Sequence, residues 1–145
     1  MNILKGIEVL VVDKTNIMAE FCIVADVFEP NIATELLQID STESWVKGEE
    51  IKGKNRNRID SCWTISTGYE ESLDINKQLN KVLSLIENKK DELLKLKSEY
   101  LIDFVFAIVV NIEENQSPSM YFNSSFIEFA NSINAEFYID LYVFS

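Results

Sequence analysis

The stretch MAEFCIVADVFEPNIATELL, Met18 to Leu37, holds a strand-to-helix transition with its punctuation in view, and the fold is read outward from it. Phe21, Ile23, Ala25 and Val27 alternate onto one face of a strand, while Cys22 and Val24 make the other face partly apolar, which suits a central strand. Glu29-Pro30 ends it, because proline has no N–H for the ladder and restricts the backbone of the residue before it. Asn31 is then placed to cap a short helix, Ile32 to Leu37, that turns Ile32, Leu36 and Leu37 inward.

Beyond this unit, residues 40 to 57 carry Gly48, Gly53 and dense charge, and predict an irregular or hairpin-like connection. Ser61 to Thr67 alternates, with Trp63 and Ile65 inward and Thr64 and Ser66 on a wet side. Asp74 offers an N-cap for a helix whose buried stripe is Ile75, Leu79, Val82, Leu83 and Ile86. The stripe resumes at Leu93, Leu94 and Leu96 after a polar interruption, which predicts a kink or a helix in two parts. Leu101 to Ile112 is almost continuously apolar and reads as a strand covered on both sides. Ser124 or Ser125 can cap a third helix that carries Phe126, Ile127, Phe129, Ala130 and Ile133 and stops at Asn134. Glu136 to Phe144 alternates Phe137, Ile139, Leu141 and Val143 against Tyr138, Asp140, Tyr142 and Phe144, so a last strand closes the sheet.

With an early strand near Ile3 to Val12, the order contains two successive strand-helix-strand units. That order predicts a single α+β domain over residues 1–145. Its sheet is twisted and mainly antiparallel with helices on one face, in a ferredoxin-like, split β-α-β arrangement with an additional helix and strand. Whether residues 3–13 join the sheet stays open.

A chain of 145 residues with 47% hydrophobic and 26% charged residues suits one folded core rather than disorder. The run Ile3 to Val12 is too short and too charged for a signal peptide, and Phe104 to Val110 is far below the length of a membrane helix. No membrane association is expected. Cys22 and Cys62 lie in apolar strand segments and read as buried, reduced thiols of a cytoplasmic protein. A net charge of −11 repels phosphate backbones and argues against nucleic acid as a partner.

One local departure from that acidity stands out: Lys47, Lys52, Lys54, Arg56 and Arg58, five of the 13 basic residues, lie between Trp45 and Trp63. Trp45, Lys47, Arg56, Arg58 and Trp63 are therefore the candidate binding residues, an aromatic wall beside cations that could hold an anionic or planar ligand. The competing and preferred reading folds the Trp45 ring over the helix Ile32 to Leu37, sends Lys47 to water and buries Trp63 in the core. Asp26 and Asp140 interrupt apolar strands; a buried carboxylate there needs a charged or hydrogen-bonding partner, which Arg56 or Arg58 could supply. The adjacent acids Glu49-Glu50, Glu70-Glu71 and Glu113-Glu114 read as solvated turns. The chain has no histidine, no C-x-x-C spacing and neither glycine-rich phosphate cradle, so no catalytic residue, metal site or cofactor is expected.

The helix Ile32 to Leu37, the segment Ser44-Trp45-Val46-Lys47-Gly48, Trp63 opening a strand, a long Leu-rich helix and the closing Ile139-Asp140-Leu141-Tyr142 follow one another as in a known family. In this respect the chain resembles the bacterial domain of unknown function 4279, over roughly residues 17 to 143. The resemblance implies an α+β protein without assigned activity, sometimes considered beside toxin-neutralising immunity proteins, and transfers no catalytic residue. Two readings follow for function. One is a non-enzymatic binding protein whose acidic surface recognises another protein, such as a basic toxin or nuclease. The other is a small-molecule or anion-binding domain built on the Trp45 to Trp63 region. Self-pairing of the last strand into a homodimer is a further expectation left open.

Overall fold

The computed structural model describes residues 14–144. The strand expected near Ile3 to Val12 lies outside the described residues. The elements run β1 (Asn16–Ala25), α1 (Pro30–Leu37), β2 (Glu43–Trp45), β3 (Ser61–Ser66), β4 (Glu70–Glu71), α2 (Ile75–Ile86), α3 (Lys90–Glu99), β5 (Ile102–Ile112), α4 (Ser124–Ser132) and β6 (Glu136–Val143).

The strands lie side by side in the order β2-β3-β1-β5-β6, and β4 continues along β1 where β3 ends. Every neighbouring pair is antiparallel except β5 and β6. Thus β1 and β2 run parallel with β3 inserted between them, and β3 and β5 run parallel with β1 inserted between them. This is the split β-α-β arrangement made twice, as in a ferredoxin-like sheet, and α4 with β6 forms the added unit beyond it.

Alternation explains which face is dry. Ile17, Ala19, Phe21 and Ile23 of β1 and Phe104, Phe106, Ile108 and Val110 of β5 are buried on one face, beneath Leu79, Val82 and Ile86 of α2, Leu93 and Leu96 of α3 and Phe126 of α4. Phe21 lies between Phe104 and Phe106, with ring centroids 5.7 and 5.0 Å away. Asp74 caps α2 by accepting from the Asn76 N–H at 2.9 Å. The long helix is indeed two, α2 and α3, divided at the polar interruption. The expected stop at Asn134 is met in the left-handed region, with φ 55°.

Several local expectations are corrected. β1 ends at Ala25, so Val27 is exposed instead of joining the buried face. Pro30 itself opens α1 after Glu29, which suits a residue with no N–H to lose, and Asn31 instead donates to Glu35. Asn123, not a serine, caps α4 through the Phe126 N–H. Thr64 is buried and not wet, because β3 is interior and the Thr64 hydroxyl lies 3.1 Å from Cys62 Sγ and 3.4 Å from Cys22 Sγ. β5 is covered on one face only: Val105, Ala107 and Val109 are half-buried among the described residues. No helix among the described residues is long and apolar enough to cross a membrane.

Candidate functional site

The five candidate residues do not converge. Trp63 is fully buried in the core, where its indole N–H donates to Thr34 Oγ1 at 3.0 Å and ties β3 to α1. Trp45 stands in β2 opposite Cys62, while its neighbour Ser44 is opposite Trp63, so the two indoles belong to opposite faces of the sheet. Trp45 is half-buried. The Arg58 guanidinium stacks on it, 3.7 Å from the ring centroid, and the indole N–H donates to Asp60 at 3.3 Å.

Two of the cations around them, Lys47 and Arg58, are engaged inside the molecule. Lys47 bonds Asp26 at 2.6 Å, and both side chains are largely exposed. Arg58 approaches Glu43 at 3.7 Å. The expected burial of Asp26 and Asp140 beside an arginine is therefore wrong: Asp26 sits just past the end of β1 and meets a lysine, and Asp140 is exposed on β6. Arg56 is exposed at the far end of the loop, with no ion pair to another described residue.

The loop itself is a hairpin. Gly48 donates to the Arg58 carbonyl at 2.9 Å, Arg58 donates back to the Glu49 carbonyl at 2.7 Å, and Ile51 donates to the Arg56 carbonyl at 3.0 Å. Gly48 and Gly53 turn this ribbon at φ +92° and +78°, backbone that a side chain would strain. Ser61 anchors its base: the hydroxyl accepts from the Lys47 N–H at 3.0 Å and donates to the Asp26 carbonyl at 3.2 Å.

Where this hairpin meets α1, a groove of about 510 Å³ opens. Glu29 and Asp40 stand beyond the two ends of α1, Glu49 comes from the hairpin, and Thr34, Ser44 and Trp45 lie between them. All three carboxylates are exposed, and no lysine or arginine lines the groove. The arrangement can hold a guanidinium or ammonium group between its carboxylates. Sequence reading missed it because its acids are 11 and 9 residues apart, in separate connections. The only cue was that Glu29 and Asp40 bracket one short helix.

On the uncovered face of the sheet, Glu20 is held above the usual carboxylate range, first by burial and then by the nearby Glu43 carboxylate. The Cys22 thiol is pushed up first by its hydrogen bond with the Cys62 side chain and then by burial. Cys62 is buried as expected, whereas Cys22 is only half-buried, and both are free thiols. Glu70 is held below the usual range by Lys81 and Gln78, which fix it to α2. That bond gives one of the adjacent acid pairs a structural duty. Among the described residues no three metal-ligating side chains cluster.

The model of the family described as a domain of unknown function (DUF4279) matches residues 14–144. The chain belongs to that family. The DUF4279 match spans every described element, from β1 through β6. No curated protein and no solved structure matches the chain.

Proposed function

We propose that this protein is a non-enzymatic binding protein whose acidic groove between α1 and the β2 hairpin receives a basic segment of another protein. The carrying observation is the lining: Glu29, Asp40 and Glu49 are exposed there with no cation among them. With a net charge of −11, the body adds long-range attraction for a basic partner, which raises the encounter rate and weakens with salt. The narrower form of this reading is an immunity-type protein in the cytoplasm that neutralises a basic toxin or nuclease.

The rival reading, an anion site on Trp45, Lys47, Arg56, Arg58 and Trp63, has less support. Lys47 and Arg58 already face carboxylates, and Trp63 has no open surface. An incoming anion would have to displace Asp26 and Glu43 before gaining either cation.

Co-expression with the products of neighbouring genes tests the proposal. A basic protein should be retained by the wild type. A variant carrying Glu29→Lys, Asp40→Lys and Glu49→Lys should lose it by about 30-fold or more, and added salt should weaken the wild-type complex. A partner held equally well by the triple variant would sink the groove. Binding of phosphate or a nucleotide that disappears with Arg56→Ala would favour the rival.

A further inference from the structure

β6 has the sequence of an interior strand and the position of an edge. Among the described residues it pairs with β5 on one side only, and all eight of its residues are exposed. Phe137, Ile139, Leu141 and Val143 share the face of Phe106, Ile108, Val110 and Ile112, yet remain 42 to 68% exposed. Tyr138 and Tyr142 make the other face aromatic. Edge strands are normally blunted by lysine, proline, a bulge or short length. β6 runs EFYIDLYV with none of these.

The free backbone groups can be assigned. Phe144 donates its N–H to the Ile112 carbonyl at 2.9 Å, so the even-numbered residues before it also turn their backbone groups toward β5. Phe137, Ile139, Leu141 and Val143 therefore turn their N–H and C=O groups outward, where no other described residue pairs with them. A second copy related by a two-fold axis must meet this edge antiparallel, with one residue opposite itself. Centring on Asp140 would oppose two carboxylates at a residue whose backbone groups point the other way. Centring on Ile139 places Phe137 opposite Leu141, Tyr138 opposite Asp140 and Glu136 opposite Tyr142 of the second copy. Each acid then faces a tyrosine, each aliphatic residue faces an apolar one, and no like charges are directly opposed.

We propose that β6 is a self-complementary interface and that two copies pair edge to edge about Ile139, joining their sheets into one. The occupant is a second copy because the strand answers its own charge pattern in that register. In addition, the family match includes β6 but not residues 1–13. Association works against the repulsion between two bodies of −11 charge each, so added salt should tighten this contact, the reverse of its effect in the acidic groove.

The experiment is sedimentation of the full chain at several concentrations and salt levels, with four single variants. The wild type should dimerise, more strongly at about 500 mM than at about 50 mM salt. Ile139→Lys and Leu141→Lys each place a charge on an already exposed position and should weaken the dimer by about 100-fold or more without changing circular dichroism. Ile139→Cys should oxidise to a covalent dimer, since its two copies would lie about 5.5 Å apart between Cα atoms. Leu141→Cys should not, being about 14 Å from its own copy by strand rise and spacing. A wild type that stays monomeric at about 100 μM overturns the proposal. If such a monomer dimerises once residues 1–13 are removed, the occupant is the chain's own start, and the proposal equally falls. A dimer untouched by both lysine variants overturns it as well, and so does covalent linkage in Leu141→Cys but not in Ile139→Cys.

Discussion

The two edges of the sheet are finished in opposite ways. At one end β2 is three residues long, runs directly into a charged hairpin, and has Lys47 and Arg58 neutralised by Asp26 and Glu43. At the other end β6 is eight residues long, apolar on one face, with two tyrosines and two carboxylates on the other and no cation. Short length and charge protect the first edge from further pairing, whereas nothing among the described residues covers the second. Charge at an edge is thus a statement about neighbours, and the acidic groove sits beside the edge that is closed to strand addition.

The largest effect expected from this contrast concerns the anchor beneath β2. Trp63→Ala should cost about 3–5 kcal/mol in urea melts, because it empties a fully buried site and removes the bond to Thr34. Leu141→Ala on β6, measured dilute enough to keep copies apart, should cost under about 1 kcal/mol, since half the side chain is already in water. The reverse ranking would break the contrast.

Arg58→Ala should cost about 1 kcal/mol through loss of its stacking on Trp45, with the exposed contact to Glu43 adding little. Lys47→Ala should stay within about 0.5 kcal/mol, as its pair with Asp26 is exposed on both sides. A loss of several kcal/mol at Lys47 would mean that the hairpin depends on this pair and is not held by Ser61.

The smallest effect sharpens the description of the β2 edge through pH. Glu20 holds its proton more tightly folded than unfolded, so its contribution to stability is present at acid pH and is lost as pH rises through its folded value. Glu20→Gln should therefore raise the urea midpoint at neutral pH, with the gain vanishing below about pH 4. Equal gains at both pH values would show that burial and Glu43 are not the cause.

What was legible in the sequence was local. Proline after Glu29, the Asp74 cap, the break between Ile86 and Leu93 and the alternation around Phe21 each depend on residues within a turn or two, and they located the elements and the α+β class. What failed depended on distant neighbours. Thr64 reads as wet until Cys22 is brought to it across the β1–β3 pair, and Asp26 reads as buried until β1 is seen to end beside it. The five candidate residues are kept apart for the same reason. Trp45 and Trp63 are close in sequence to one cluster of cations, but strand alternation sends their rings to opposite faces, and the groove acids come from three separate connections. For β6 the alternation was legible and its exposure was not, because periodicity reports what a strand could bury rather than what is there to cover it, and so the edge position stayed open.

The central place of β1 has a consequence for the making of the protein. Its first residue pairs with Asn111 and its last with Ile102, so the strand emerges from the ribosome long before its partner on that side exists. At roughly 5–20 residues per second, that interval is on the order of ten seconds. During it, the newborn chain carries the apolar run from Phe21 to Ala25 with β3, β4 and the helices α1 to α3 made but the β5 side of the strand still unpaired, a window in which a chaperone has something to offer this protein.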